Sequence, residues 1–260
     1  MSTVEFHATL HAALHYHVLS HLDLGDDAAS IYDPNTEERD WVEGVLWAYG
    51  NAPGRLALQY LGIQINSLDS LREKLRYGSA DTGLGDEAGR SLRAAFLAAL
   101  DLERHHFSMA WNRDARVREQ RLARAGLEMG EALTALRAEL WKKQKDPPPL
   151  TVLDCPALGQ AGRSVTSRGC RVVAVNLGSE GDQALYQILN EEVHLFTDAA
   201  VLEKSVGTIR DTRVNSEGYA LHQSLEQAAV SRGRVLIQAI APERVDAYEA
   251  WSERFGLPKA

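Results

Sequence analysis

Asp146-Pro147-Pro148-Pro149-Leu150-Thr151-Val152-Leu153 divides the chain into two differently built parts. Proline gives no N–H to a helical ladder and pushes the residue before it away from helical geometry, so a helix arriving from the N-terminal side ends here. Upstream, the spacing of apolar residues predicts helix after helix. Residues 4–22 read as an amphipathic helix ended near Gly25. Asn35, with Glu38 three residues later, is an N-cap signal for a helix through Trp47. Arg55 to Ile63 and Leu68 to Tyr77 are shorter helices. The glycine-rich stretch 78–85 is a loop, and two long helices follow over about 86–110 and 114–145.

Downstream the pattern changes. Leu150–Leu153 and Arg171–Leu177 are short and rich in Val and Leu, so they read as strands, separated by the turn-rich segment Gly159–Gly169. Helices are then predicted over about 180–198, from Asn215 or Ser216 past Glu226, and after Pro242. In a hairpin of the two strands, Cys155 and Cys170 face each other, although two cysteines make no disulfide scaffold and read first as unpaired small residues. The expected fold is mainly α with a small β-hairpin or sheet. Residues 1–146 form a helical region and 147–260 an α+β region, with one continuous domain also open.

At 260 residues, 45% hydrophobic and 25% charged, the chain can bury a substantial core and has the composition of an ordinary globular protein. A formal net charge of −8 argues against nucleic acid or an anionic membrane as the main partner. No apolar run is long enough to span a bilayer, and five histidines interrupt the region from Phe6 to Leu22, where a signal peptide would need an apolar core. The expected location is cytoplasmic.

The helix predicted over 180–198 carries Asn190-Glu191-Glu192-Val193-His194. Asn190, His194 and Asp198 are spaced four apart and share one helical face, with Glu191 beside it. The stretch is one residue away from His-Glu-x-x-His, in which two histidines one turn apart hold zinc and the glutamate polarises the attacking water. A second helix follows, opening Asn215-Ser216-Glu217-Gly218-Tyr219-Ala220, with 22 residues between His194 and Glu217. From the Arg171 strand to Glu226, the chain resembles the gluzincin metallopeptidases, whose downstream helix supplies a glutamate as third zinc ligand, often in an Asn-Glu-Gly-aromatic-Ala context. The resemblance implies a zincin-like fold, Glu191 as general base, His194 and Glu217 as zinc ligands, and Asn190 in place of the first ligand. An amide oxygen is a weaker donor to zinc than imidazole. The resemblance therefore favours a non-hydrolytic pseudopeptidase that binds a peptide or protein partner. The alternative is an active zinc-dependent peptidase or amidohydrolase with a substitute ligand.

Other clusters are less specific. His7, His11 and His15 are spaced four apart, as are His17 and His21. They read as polar positions on the first helix, unless one reaches Asn190 and restores the missing imidazole. Glu103-x-x-His106 and Glu191-x-x-His194 are two copies of the motif that di-iron carboxylate bundles use, a third functional reading. There is no phosphate-binding loop, no dinucleotide fingerprint and no nucleophile elbow.

Overall fold

A four-stranded mixed sheet lies between two layers of helices. The computed structural model describes residues 3–20, 55–78, 87–143, 147–167, 169–202 and 217–254. Its strands are β1 (Val4–His7), β2 (Leu150–Asp154), β3 (Arg163–Ser167) and β4 (Cys170–Val175), in the order β1-β2-β4-β3. β1 runs parallel to β2, with Val4 opposite Leu150, and β2 parallel to β4, with Leu150 opposite Arg171. β3 is antiparallel to β4 and sits at the edge.

Alternation along the two central strands explains the layering. Leu150, Val152, Val173 and Val175 point to one face and share a core with α5 (Ala115–Leu140), α6 (Gln183–Leu202), α7 (Glu217–Ile240) and α8 (Val245–Arg254). Leu153 and Ala174 point to the other face. They share a second core with α1 (Leu10–Ser20), α2 (Arg55–Gln64), α3 (Leu68–Tyr77) and α4 (Glu87–Arg113). Strands covered on both faces carry apolar residues on both sides, as β2 and β4 do apart from Thr151, Asp154 and Arg171. The helices present stripes at the matching period: Ala125, Met129, Leu133, Leu136 and Leu140 on α5, and Leu92, Phe96, Ala99, Leu100 and Phe107 on α4.

Three expectations are corrected. The single helix over 4–22 is a strand followed by a helix: Val4 to His7 adds to β2, and α1 begins at Leu10. Nor is α1 amphipathic, since all nine residues from His11 to Leu19 are buried. A helix covered all round belongs to the interior, and its histidines go in with it. Second, Leu150–Leu153 and the Arg171 strand are parallel neighbours rather than a hairpin. The hairpin partner of β4 is β3, hidden in the turn-rich segment and reached through Gly169, whose φ of 74° suits glycine. Third, Cys155 and Cys170, free thiols as expected, do not face each other but stand at opposite ends of β4: Cys155 N–H bonds Val175 O, whereas Cys170 opens the strand. The helix expected over 35–47 lies outside the described residues. The regions before and after the proline run pack together: β1 pairs with β2, and α5 shares a core with α6 to α8.

The two halves are also joined by charge. Glu192 of α6, 1% exposed, accepts from Arg137 Nε of α5 at 2.7 Å and from Arg171 Nε of β4 at 3.2 Å. Both arginines are buried. Arg137 also donates to Pro148 O and Arg171 to Ser164 Oγ, each at 2.7 Å. Removing the carboxylate strands two guanidinium charges in the interior. We expect Glu192→Ala to cost about 3–5 kcal/mol in urea unfolding. The half-exposed Arg234–Glu249 pair is the control: Glu249→Ala should cost below about 1 kcal/mol. Equal losses would mean that the buried cluster is no anchor.

Candidate functional site

Each α-helical residue is rotated about 100° from the last, so the Asn190–His194 stretch of α6 points in several directions at once. Glu192 enters the arginine cluster under the sheet. Glu191 turns toward the start of β3, where a Cβ added to Gly162 would lie 2.7 Å from Glu191 Oε1. Glycine at 162 thus lets the carboxylate approach the backbone. The Gln187 side-chain amide closes the same corner, donating to Gln160 O at 2.9 Å and accepting from Gly162 N–H at 3.1 Å in the orientation that satisfies both its ends. Tyr16 of α1 is near enough to sense Glu191. Burial, first, pushes its phenol well above the ordinary range, and the Glu191 charge adds to the rise.

Asn190 and His194 face α7, where they meet Glu226. Asn190 Nδ2 donates to Glu226 Oε2 at 3.2 Å and lies 3.3 Å from His194 Nε2. His194 Nε2 lies 3.3 Å from Glu226 Oε1. Asn190 is buried, and its Oδ1 has no hydrogen-bond partner. A buried polar atom left unpaired costs about 1–3 kcal/mol, so it stands out.

The predicted residues are therefore partly assembled. Asn190 and His194 do meet one turn apart. Glu217 opens α7, but its side chain lies outside the described residues, as does that of Asp198. Glu226 lies nine positions beyond Glu217, about two and a half turns or 14 Å along the helix. Glu226 was not anticipated. In Ser224-Leu225-Glu226-Gln227 it looks like a solvated helix charge, and only the packing of α7 on α6 brings it to His194.

The two Glu-x-x-His copies do not meet. Glu103 is buried against His17, whose Nε2 lies 3.3 Å from its Oε2, and His106 is exposed. Among the described residues no three His, Cys, Asp or Glu side chains converge to hold a metal. The first-helix histidines do not repair the Asn190 position either. His11 Nε2 donates to Ile65 O and His15 Nε2 to Leu58 O, each at 2.8 Å, and His7 pairs with Glu5. His21 lies outside the described residues. No helix among the described residues is long and apolar enough to cross a membrane. Compared with protein-family models, curated proteins and solved structures, the chain matches none.

The buried histidines carry a consequence for acid stability. Burial, opposed by the bond to Leu58 and helped by the nearby His11, lowers the pKa of His15 to about 4. The folded protein thus holds a neutral ring, whereas the unfolded chain takes up a proton near pH 6.5. Stability is complete above about pH 6.5 and falls as the pH drops toward 4, by up to about 3 kcal/mol from this ring. Urea unfolding between pH 7 and 4.5 should show a shallower pH slope for His15→Gln than for the wild type. Identical slopes would assign the acid lability to other groups.

Proposed function

We propose that this chain is a zincin-like protein that no longer hydrolyses and instead binds an extended peptide segment of a partner. The observation that carries the reading is the divergence of the motif residues. Asn190 and His194 face Glu226 on α7, while Glu191, the expected base, is packed against Gly162 beside β3. Hydrolysis by this chemistry needs the base within hydrogen-bond reach of a water on the metal, with both aimed at one carbonyl. Support for the zincin-like part comes from the order of elements. A central strand, β4, is followed by the motif helix α6 and then by α7, which packs along it and supplies a carboxylate to His194.

Support for a peptide comes from β3. It is an edge strand, and among the described residues no other strand pairs with its outer side. Such an edge offers backbone donors and acceptors to which an extended segment adds as a further strand. Gly162 and Glu191 stand at its entrance, where the carboxylate would select a basic or amide-bearing side chain.

Incubation with a mixed peptide library, with and without added zinc, followed by mass spectrometry, is expected to reveal no cleavage. Peptides selected for binding should slow hydrogen exchange in β3. Cleavage that disappears in Glu191→Gln would overturn the proposal in favour of an active metallohydrolase, in which a general base is worth about 10²–10⁴-fold in rate. Selected peptides that leave β3 exchange unchanged would remove the edge strand from the reading.

A further inference from the structure

We propose that Asn190, His194 and Glu226 form a divalent transition-metal site in which Asn190 serves as an oxygen ligand and Glu226 provides the carboxylate. The inference rests on the reading of α6 as a remodelled metal helix, and it moves the carboxylate ligand from Glu217 to a residue nine positions further along α7. Its first support is a set of distances. Asn190 Nδ2 lies 3.3 Å from His194 Nε2 and 3.2 Å from Glu226 Oε2, and His194 Nε2 lies 3.3 Å from the other carboxylate oxygen, Oε1. Ligands bonded at about 2.0–2.1 Å to a tetrahedral ion stand about 3.3–3.4 Å apart. The three side chains therefore hold the spacing of one face of such a site.

The second support is the orphaned Asn190 Oδ1. Asn190 is 3% exposed, and its nitrogen occupies the triangle while its oxygen finds no donor. Turning the amide over brings the oxygen into the triangle and gives up no bond on the other side, since that side makes none. The imidazole and the carboxylate, which the nitrogen now touches, then bond the ion instead. Imidazole, carboxylate and amide oxygen together make a mixed nitrogen and oxygen set, which suits zinc, cobalt(II) or manganese(II) better than a soft ion. Three ligands leave a fourth tetrahedral position, and one negative charge against two positive favours water or an anionic group there. With Glu191 turned to Gly162, the ion's role is to fasten α6 to α7.

Cobalt(II) is the probe, titrated into the metal-free full chain while its visible d–d bands are followed, with zinc then used as competitor. One equivalent of cobalt should bind with the intense bands of a low-coordinate site, and zinc should displace it. Glu226→Gln should weaken binding by about tenfold or more, whereas Glu217→Gln should leave it within about twofold. Asn190→Asp, which keeps the shape but makes the oxygen anionic, should tighten binding and blue-shift or intensify the bands. Circular dichroism checks that each variant is folded. If Glu226→Gln fails to fold, the wild-type spectrum and the gain in Asn190→Asp decide the matter. No cobalt bands at millimolar metal would overturn the site. So would binding that depends on Glu217 but not Glu226, or binding indifferent to all three substitutions. Because the readout is spectroscopic, cobalt binding without peptide cleavage supports both proposals, cleavage with binding removes only the non-hydrolytic one, and absence of binding removes only this one.

Discussion

Glu192 and the two arginines that enclose it, Arg137 and Arg171, set the geometry on which the rest depends. A carboxylate at 1% exposure is tolerable only with full compensation, and here two guanidiniums from different elements supply it. Such a cluster is weak evidence for net stability, since an apolar core of the same shape does as well or better. Its effect is positional. It ties α6 to α5 and to β4, and through Arg137 to the Pro148 carbonyl it also fixes the point at which the chain leaves the helical layer and enters the sheet.

Fixing Glu192 also fixes the rotation of α6. With that residue turned under the sheet, the periodicity of a helix leaves little choice for its neighbours. Asn190 and His194, on a face of their own, are directed at α7, and Glu191 at the mouth of β3. Burying Glu192 thus sets which neighbours the two faces meet: Gly162 for Glu191, and Glu226 for Asn190 and His194. The Asn190–His194 stretch has been placed around a structural ion cluster, and the cluster sets its aim.

Much of this was legible in the sequence. The proline run marked the entry into the sheet, β2 and β4 stood out by their Val and Leu content, and the helices α2 to α8 were signalled by period and caps. What failed did so for physical reasons. Val4-Glu5-Phe6-His7 was absorbed into a helix because a four-residue strand gives almost no periodic signal, and its partner lies far along the chain. β3, Arg163-Ser164-Val165-Thr166-Ser167, has one strongly apolar residue and sits among glycines. The burial of His11, His15 and His17 follows from the packing of α1 between the sheet and α4, which no local pattern encodes. Within the site, Asn190 and His194 could be paired by spacing alone. Glu226 needed the relative placement of two helices, and Glu192, chosen by sequence as nothing more than a neighbour of the base, proved to be the buried anchor.

The pairing of β1 with β2 has a consequence for how the molecule is made. Val4 finds its partner only when Leu150 has been synthesised, and at about 5–20 residues per second the nascent N-terminal segment waits roughly 7–30 seconds for it. Over that time α1, buried on every side in the folded protein, has neither the sheet nor the Pro156–Leu158 turn to cover it. A ribosome-bound chain of this protein therefore has α1 covered only in part, by α2 and α4, until the sheet strands and the Pro156–Leu158 turn emerge.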